Sequence, residues 1–235
     1  DSVKSRGLGD VYKRQLMDYS MMVVDATKDL AAAYKPNLAF FEEWGSKGYY
    51  WLENLIKHIG SDHVVIADAK RGDIGNTGLH YANAFFNHFN CDAITVSPYM
   101  GEESIEPFIS NPSKGAYVLC RTSNKSSTFI QEEIYSKVIS LCEALNNQQN
   151  IGLVVGATND DALMQVRNST DLPFLIPGIG AQGGDLQSVL KINENSMDTT
   201  LINVSRGIIF SGNKDHDSIR NSAKQYLNQL RGLNG

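Results

Sequence analysis

The feature that most limits the possible folds is a regular alternation between short apolar segments and amphipathic helical segments. Continuously apolar strands are typical of a parallel sheet that is covered on both faces by helices. The pattern predicts an α/β fold, specifically a (β/α)8 TIM-type barrel with seven strands recognisable. A doubly wound open sheet is the alternative, because alternation alone does not distinguish a closed sheet from an open one. The predicted strands span residues 34–40, 63–70, 93–99, 116–122, 151–157, 174–180 and 201–208.

The N-terminal segment, residues 1–15, does not follow this alternation. It lacks apolar periodicity, and we predict that it is a non-native or disordered leader. Residues 16–235 are predicted to form a single (β/α) barrel domain, which begins with a helix over 16–33. Because a barrel of this kind has eight strands, we expect the first strand to be missing in front of that helix.

The composition excludes several classes of protein. A hydrophobic content of 42% is ordinary for a globular core, and a net charge of -5 argues against a nucleic acid or an anionic membrane as partner. Three cysteines without C-x-x-C spacing favour free thiols in a reducing compartment, so we predict a cytoplasmic protein. The five histidines are scattered, and no metal site is predicted.

The segment DAKRGDIGNT, residues 68–77, places charges at the end of an apolar strand. Side chains alternate along a strand, so Ile66, Asp68 and Lys70 share one face, which begins apolar and ends charged. Asp73 follows on the turn and is expected to place Lys70 between two carboxylates. A buried structural ion pair is the alternative to a functional site.

Polar residues also end other predicted strands, where barrel enzymes carry their working residues. Ser97 and the segment TSN at 122–124 occupy such positions, whereas Lys35 follows the start of its strand. The glycine-rich segment PGIGAQGGD at 177–185 and the following Arg206 predict a phosphate site between the last two loops. The alternatives are a simple tight turn for the glycines and a surface ion pair for the arginine.

The motifs YKPN, DAKRGDIGNT, TSN, PGIGAQGGD and NVSRGI, in this order, resemble orotidine 5′-phosphate decarboxylase, in the subgroup with a DAKRGDI signature. The resemblance extends from about residue 16 to the C-terminus. It implies conversion of orotidine 5′-monophosphate to uridine 5′-monophosphate (UMP) and CO2 in pyrimidine biosynthesis, with no cofactor. It also implies a homodimer in which Asp73 and Thr77 reach the neighbouring site, and a closing loop at 180–184.

By the same resemblance, each residue that matches a family motif receives a role. Lys70 is the implied proton donor, Ser123 contacts the pyrimidine, and Gln182 and Arg206 hold the phosphate. The implied catalytic residues are Lys35, Asp68, Lys70 and Asp73. The implied substrate-binding residues are Ile74, Thr77, Ser123, Pro177, Gln182, Ser205 and Arg206.

The N-terminus departs from the family pattern. The family begins with a strand resembling G-L-D-P, whose aspartate contacts the ribose, and this chain has only GLGD at residues 7–10. We therefore expect a truncated fragment with a foreign leader. Two alternatives stay open: a Mg2+-dependent sugar-phosphate decarboxylase or aldolase of the same superfamily, and a truncated, non-catalytic phosphate-binding barrel.

Overall fold

The computed structural model describes the backbone of residues 2–180 and 183–232, and the side chains of these residues from 14 onward. Its sheet contains seven parallel strands in sequential order, which confirms the barrel-type fold. A doubly wound sheet would reverse its order at a switch point, so that alternative is wrong. The strands are β1 Ala33–Tyr34, β2 Val64–Arg71, β3 Ala93–Val96, β4 Gly115–Arg121, β5 Ile151–Val155, β6 Phe174–Pro177 and β7 Thr200–Asn203. Among the described residues β1 and β7 form the two edges, so the sheet is curled but open.

Helices connect successive strands and cover the outside of the sheet. They are α1 Ser2–Thr27, α2 Ala39–Glu42, α3 Ser46–Ile59, α4 Gly75–Asn83, α5 Glu106–Ile109, α6 Thr128–Leu145, α7 Asp160–Arg167, α8 Leu186–Ile192, α9 Arg206–Ile209 and α10 His216–Leu230. The first helix differs from the prediction, because it starts inside the expected leader and ends at Thr27 rather than residue 33. The backbone of residues 2–15 is therefore helical, and the non-native origin of the leader stays a prediction.

The first predicted strand, residues 34–40, is much shorter in the structure. Strand β1 ends at Tyr34, and α2 begins at Ala39. Pro36 has no backbone N–H to donate, which limits regular pairing here. The segment between them nevertheless stays beside β2, because Asp68 N donates to Pro36 O at 3.0 Å and Leu38 N donates to Asp68 O at 3.2 Å.

The predicted alternation along β2 is confirmed. Val65 and Ala67 pack in the large core between the sheet and the helices. Ile66 points the other way, into a smaller cluster with Ala93, Val154 and Leu175. Both faces of β2 are thus buried, and the inner face leads directly to Asp68.

Two helical segments are irregular for a physical reason. The segment between β1 and β2 is divided into α2 and α3 at Gly45, whose φ of 59° lies in the left-handed region that glycine adopts without strain. The helix α4 continues into a π-helical turn over Ala84–His88. Such turns are insertions that hydrophobic periodicity does not reveal.

The three cysteines are free, as predicted, and all are buried: Cys91, Cys120 and Cys142. Burial raises the pKa of each thiol to about 12, so the unreactive thiol form dominates near neutral pH. Within the described ranges, no helix has the length and hydropathy needed to cross a membrane.

Candidate active site

Asp68 is the centre of the charged site at the carboxyl end of β2. Its Oδ2 lies 2.5 Å from Lys35 Nζ, and its Oδ1 lies 2.6 Å from Lys70 Nζ. The side chains of Asp68 and Lys35 are only 9% and 11% exposed, whereas that of Lys70 is 50% exposed. One carboxylate thus binds two ammonium groups, one buried and one open to solvent.

The local backbone explains how Lys35 reaches Asp68. The residues after Lys35 bond to the backbone of Asp68 itself, through Pro36 O and Leu38 N. Asn37 and Asp68 form an isolated parallel bridge, so the chain stays close to β2 beyond the end of β1. The two charged side chains are therefore brought together by strand pairing across a sequence separation of 33 residues.

Lys70 has an unusual backbone conformation. Its φ is 49°, in the left-handed region, which is uncommon for a lysine and costs about 1–3 kcal/mol. The pairing of β2 with β3 shifts register between Ala67 and Arg71, consistent with a bulge at this point. Strained backbone next to a charged group is frequent at functional sites.

Thr95 is a site residue that the sequence analysis missed. Its hydroxyl donates to Asp68 Oδ1 at 3.1 Å and accepts from Lys70 N at 2.9 Å. Thr95 is 1% exposed and belongs to β3, whose other residues are apolar. A polar residue inside an apolar strand, two positions before Ser97, was the signal that could have identified it.

The pKa values of this cluster reflect burial and mutual charge. Burial is the largest influence on Asp68 and disfavours its carboxylate, but the charges and hydrogen bonds of Lys35 and Lys70 outweigh it and lower the pKa of Asp68. Burial lowers the pKa of Lys35, and Lys70 lowers it further, although Asp68 opposes the shift. The site therefore favours an ionised Asp68 and makes the Lys35 ammonium easier to deprotonate.

Asp73 was expected beside Lys70, but no ion pair joins these two described side chains. Its Oδ1 accepts from Ile74 N at 2.9 Å, and it has no ion pair with another described residue. Ile74 is 55% exposed, and Thr77 is also exposed. Within this chain the only described acid that forms an ion pair with Lys70 is Asp68, so the expected placement of Lys70 between two acids is not found.

Ser123 follows β4 and is held against β5. Thr158 Oγ1 donates to Ser123 O at 2.9 Å. A methyl group on Gly156 would lie 2.7 Å from Ser123 N, so the close approach of the two strand ends requires glycine at 156. The neighbouring Thr122 N donates to Gln131 Oε1 at 2.7 Å, which ties the TSN segment to α6.

The predicted phosphate residues lie after β6 and β7. Pro177 ends β6 beside Asn203 of β7, and its carbonyl accepts from Ala157 N at 2.9 Å. Ser205 and Arg206 are exposed at the start of α9, and no described residue forms an ion pair or hydrogen bond with the Arg206 side chain. Gln182 lies outside the described residues.

Metal binding has no candidate among the described side chains. They contain no group of three or more His, Cys, Asp or Glu residues that could hold a metal ion. The carboxylate that is most central to the site, Asp68, is already bound by two lysines.

The sheet order and the charged residues at its carboxyl edge define a barrel-type (β/α) fold with an enzyme-like site. The family model described as "Orotidine 5'-phosphate decarboxylase / HUMPS family" matches residues 14–218, and the chain belongs to this family.

Within that family, the chain is similar to several proteins that are named orotidine 5′-phosphate decarboxylase or OMP decarboxylase. The orotidine 5′-phosphate decarboxylase of Dehalococcoides mccartyi strain CBDB1 is 42% identical over 207 residues, which cover 83% of this chain and 77% of the relative. The structure of Leishmania donovani OMP decarboxylase is 37% identical with a TM-score of 0.83, and the match covers 94% of this chain and 88% of that one. The structure of L. donovani UMP synthase is 39% identical with a TM-score of 0.85; this chain is matched over 94% of its length but spans only 51% of that protein.

Proposed function

We propose that this protein decarboxylates orotidine 5′-monophosphate to UMP and CO2 without a cofactor, in pyrimidine biosynthesis. The observation that carries the proposal is the Lys35–Asp68–Lys70 cluster at the carboxyl end of β2, in a chain about 40% identical to relatives named orotidine 5′-phosphate decarboxylase. The rival function is a Mg2+-dependent sugar-phosphate decarboxylase or aldolase of the same superfamily, but the names of these relatives favour a nucleotide substrate.

The chemical step requires a cation next to a ring carbon. When the bond to the carboxylate breaks, CO2 leaves and the electron pair stays on the ring carbon. The Lys70 ammonium stabilises this charge and then transfers a proton from Nζ to the carbon. Because Lys70 is half exposed, its amine can recover a proton from solvent after turnover.

Asp68 and Lys35 support Lys70 from the buried side. Asp68 binds Lys70 Nζ at 2.6 Å and thereby fixes the direction of the ammonium group. The Lys35 ammonium on the other oxygen, together with Thr95, keeps Asp68 ionised and in place. The negative charge of Asp68 near the substrate carboxylate also raises the free energy of the bound substrate. This contribution to the rate is smaller than the stabilisation by Lys70.

The remaining proposed contacts bind the substrate away from the reacting carbon. Ser123 contacts the pyrimidine, and Ile74 and Pro177 line the site. Ser205, Arg206 and Gln182 hold the 5′-phosphate, and the loop at 180–184 closes over it. Phosphate binding then contributes energy to the chemical step through loop closure.

Arg206→Ala should weaken affinity more than it slows chemistry, because the guanidinium binds a phosphate that does not react. We expect KM for orotidine 5′-monophosphate to rise by about 10-fold to 100-fold, as for loss of a hydrogen bond to a charged group. Steady-state kinetics give KM and kcat separately, with Arg231→Ala, an exposed arginine after α10, as the matched control. An unchanged KM in Arg206→Ala would contradict the phosphate role.

A homodimer is part of the proposal, with Asp73 and Thr77 completing the site of the neighbouring subunit. It is supported by the exposure of Thr77 and by exposed apolar side chains after β2 and β3, namely Ile74, Leu79, Tyr99 and Met100. Exposed apolar side chains that adjoin one another mark interaction surfaces.

Shared sites predict complementation between two inactive variants. Mixed Lys70→Ala and Asp73→Ala subunits should recover about a quarter of normal activity, because half of the dimers are mixed and each has one intact site. Activity is measured after subunit exchange, which differently tagged chains verify. The control is each variant alone, which should stay inactive. No recovery of activity in verified mixed dimers would contradict the sharing of sites between subunits.

The test of the function is the ultraviolet absorbance change of orotidine 5′-monophosphate with purified protein and a chelator. Turnover in chelator supports the proposal. Activity only on a sugar-phosphate substrate with Mg2+ would favour the rival, and UMP binding without turnover would favour a non-catalytic phosphate-binding barrel. A cytoplasmic location is also part of the proposal, supported by three buried, unpaired cysteines.

A further inference from the structure

Tyr226, on the C-terminal helix α10, reaches the two loops that follow β6 and β7. A methyl group on Gly180 would lie 2.9 Å from the Tyr226 hydroxyl oxygen, and one on Gly207 would lie 2.5 Å from it. Both distances are too short for a carbon atom and an oxygen atom that are not bonded. The hydroxyl therefore fills the space that a side chain at either position would need.

The glycine at position 207 is explained by this contact rather than by backbone conformation. Gly180 has a φ of 71° and is favoured there for that reason as well. Gly207 belongs to the helix α9 and has no positive φ, so alanine would be the better residue for the helix itself. The position of Tyr226 therefore explains why residue 207, next to Arg206, is a glycine.

The turn that contains Arg206 is held by helices rather than by the sheet. Strand β7 ends at Asn203, three residues earlier. Ser222, one helical turn before Tyr226, donates to Gly207 O at 2.9 Å, and Tyr19 of α1 donates to Ile209 O. The position of this turn is therefore set by side chains on α10 and α1.

We propose that Tyr226 is a positioning residue that sets the distance between the loop at Gly180 and the turn at Arg206, and thereby the affinity for a 5′-phosphate. The inference rests on the proposed function, since it assigns the phosphate group to these two loops. Among the described residues the hydroxyl has no hydrogen-bond partner, so its contact with the two glycines is steric. Removing the hydroxyl lets the loops relax inward, and adding a methyl group at 207 forces them apart.

The test compares Gly207→Ala, Tyr226→Phe and the double variant. Gly207→Ala should weaken UMP binding about tenfold and Tyr226→Phe about threefold, because small displacements of binding groups have effects of this order. The double variant should bind UMP within about twofold of the unaltered chain, because the methyl group then takes the place of the hydroxyl. The nearest ring carbons of residue 226 would lie 3.3 Å from that methyl group, a tight but possible contact.

Binding of uridine, which lacks the phosphate, separates positioning from general damage to the fold. Uridine affinity should be the same in all variants, and kcat should change less than KM. Tyr135→Phe, which removes a hydroxyl from another half-buried helical tyrosine, is the control and should leave UMP affinity unchanged.

The outcomes distinguish this inference from the proposed function. A double variant that binds UMP no better than Gly207→Ala would overturn the inference, as would equal losses of UMP and uridine affinity. If the unaltered chain binds UMP and Gly207→Ala binds it normally, the inference alone fails. If the unaltered chain does not bind UMP, the proposed function fails and the inference with it.

Discussion

Lys70→Ala should abolish turnover of orotidine 5′-monophosphate while UMP binding survives. The variant loses both the cation beside the developing charge and the proton donor, and each is typically responsible for a factor of about 10² or more. We expect kcat to fall by at least about 10⁴-fold, with UMP affinity within about threefold of normal. Absorbance kinetics at high enzyme concentration and calorimetric titration with UMP measure the two effects.

Two further variants separate the charge of Lys70 from its role as proton donor and provide a control. Lys70→Arg keeps a cation but should stay inactive, because a guanidinium does not release a proton in this pH range. Lys57→Ala removes an exposed lysine on α3 and should leave kcat unchanged. Near-normal turnover in Lys70→Ala would show that the proposed proton donor is wrong.

Asp68→Ala should destabilise the fold as well as stop catalysis. Lys70 can turn to solvent, but Lys35 is 11% exposed and would be left as a buried charge without a partner. Breaking a buried ion pair in this way costs about 3–5 kcal/mol of unfolding free energy. Replacing both partners, as in Lys35→Met with Asp68→Ala, should recover part of this loss because no unpaired charge remains.

Urea unfolding measures these differences, and an exposed ion pair is the control. Lys57 and Glu53 lie 2.7 Å apart on the surface of α3, and Glu53→Ala should cost less than about 1 kcal/mol. Two results would show that Asp68 does not neutralise Lys35 in the folded protein. One is a loss of unfolding free energy in Asp68→Ala that is no larger than in Glu53→Ala. The other is a double variant that is less stable than Asp68→Ala.

The pKa directions predict how the effect of Asp68→Ala changes with pH. The pKa of Asp68 is lowered in the folded protein, so its ionisation stabilises the fold above the unfolded pKa and this stability is lost as the pH falls through the lower folded pKa. The difference between the unaltered chain and Asp68→Ala should therefore shrink below about pH 4. The pKa of Lys35 is also lowered, so the cost of its buried charge is relieved as the pH rises towards the unfolded pKa of about 10.4.

Much of the site could be predicted because it depends on local patterns. Asp68 and Lys70 lie at the end of an apolar strand, and Lys35 directly follows β1, so parallel pairing of this segment with β2 brings the three together. Thr95 was missed because its hydroxyl is uncharged, so that it does not stand out in an apolar strand as Asp68 and Lys70 do. The lack of an ion pair between Asp73 and Lys70 could not be predicted, because the spacing of the acids does not define the path of the turn after Gly72.

The sequence by itself determined the parallel sheet of seven strands and the location of the charged site. Both follow from the two-residue period of strands and from apolar runs that end in charged residues, which are properties of short segments. Only the tertiary structure decided that one carboxylate binds both lysines, that Asp73 has no ion pair with another described residue, and that Tyr226 requires glycine at 207. These are contacts between distant segments, and their geometry depends on strand register and helix packing, which no local pattern encodes.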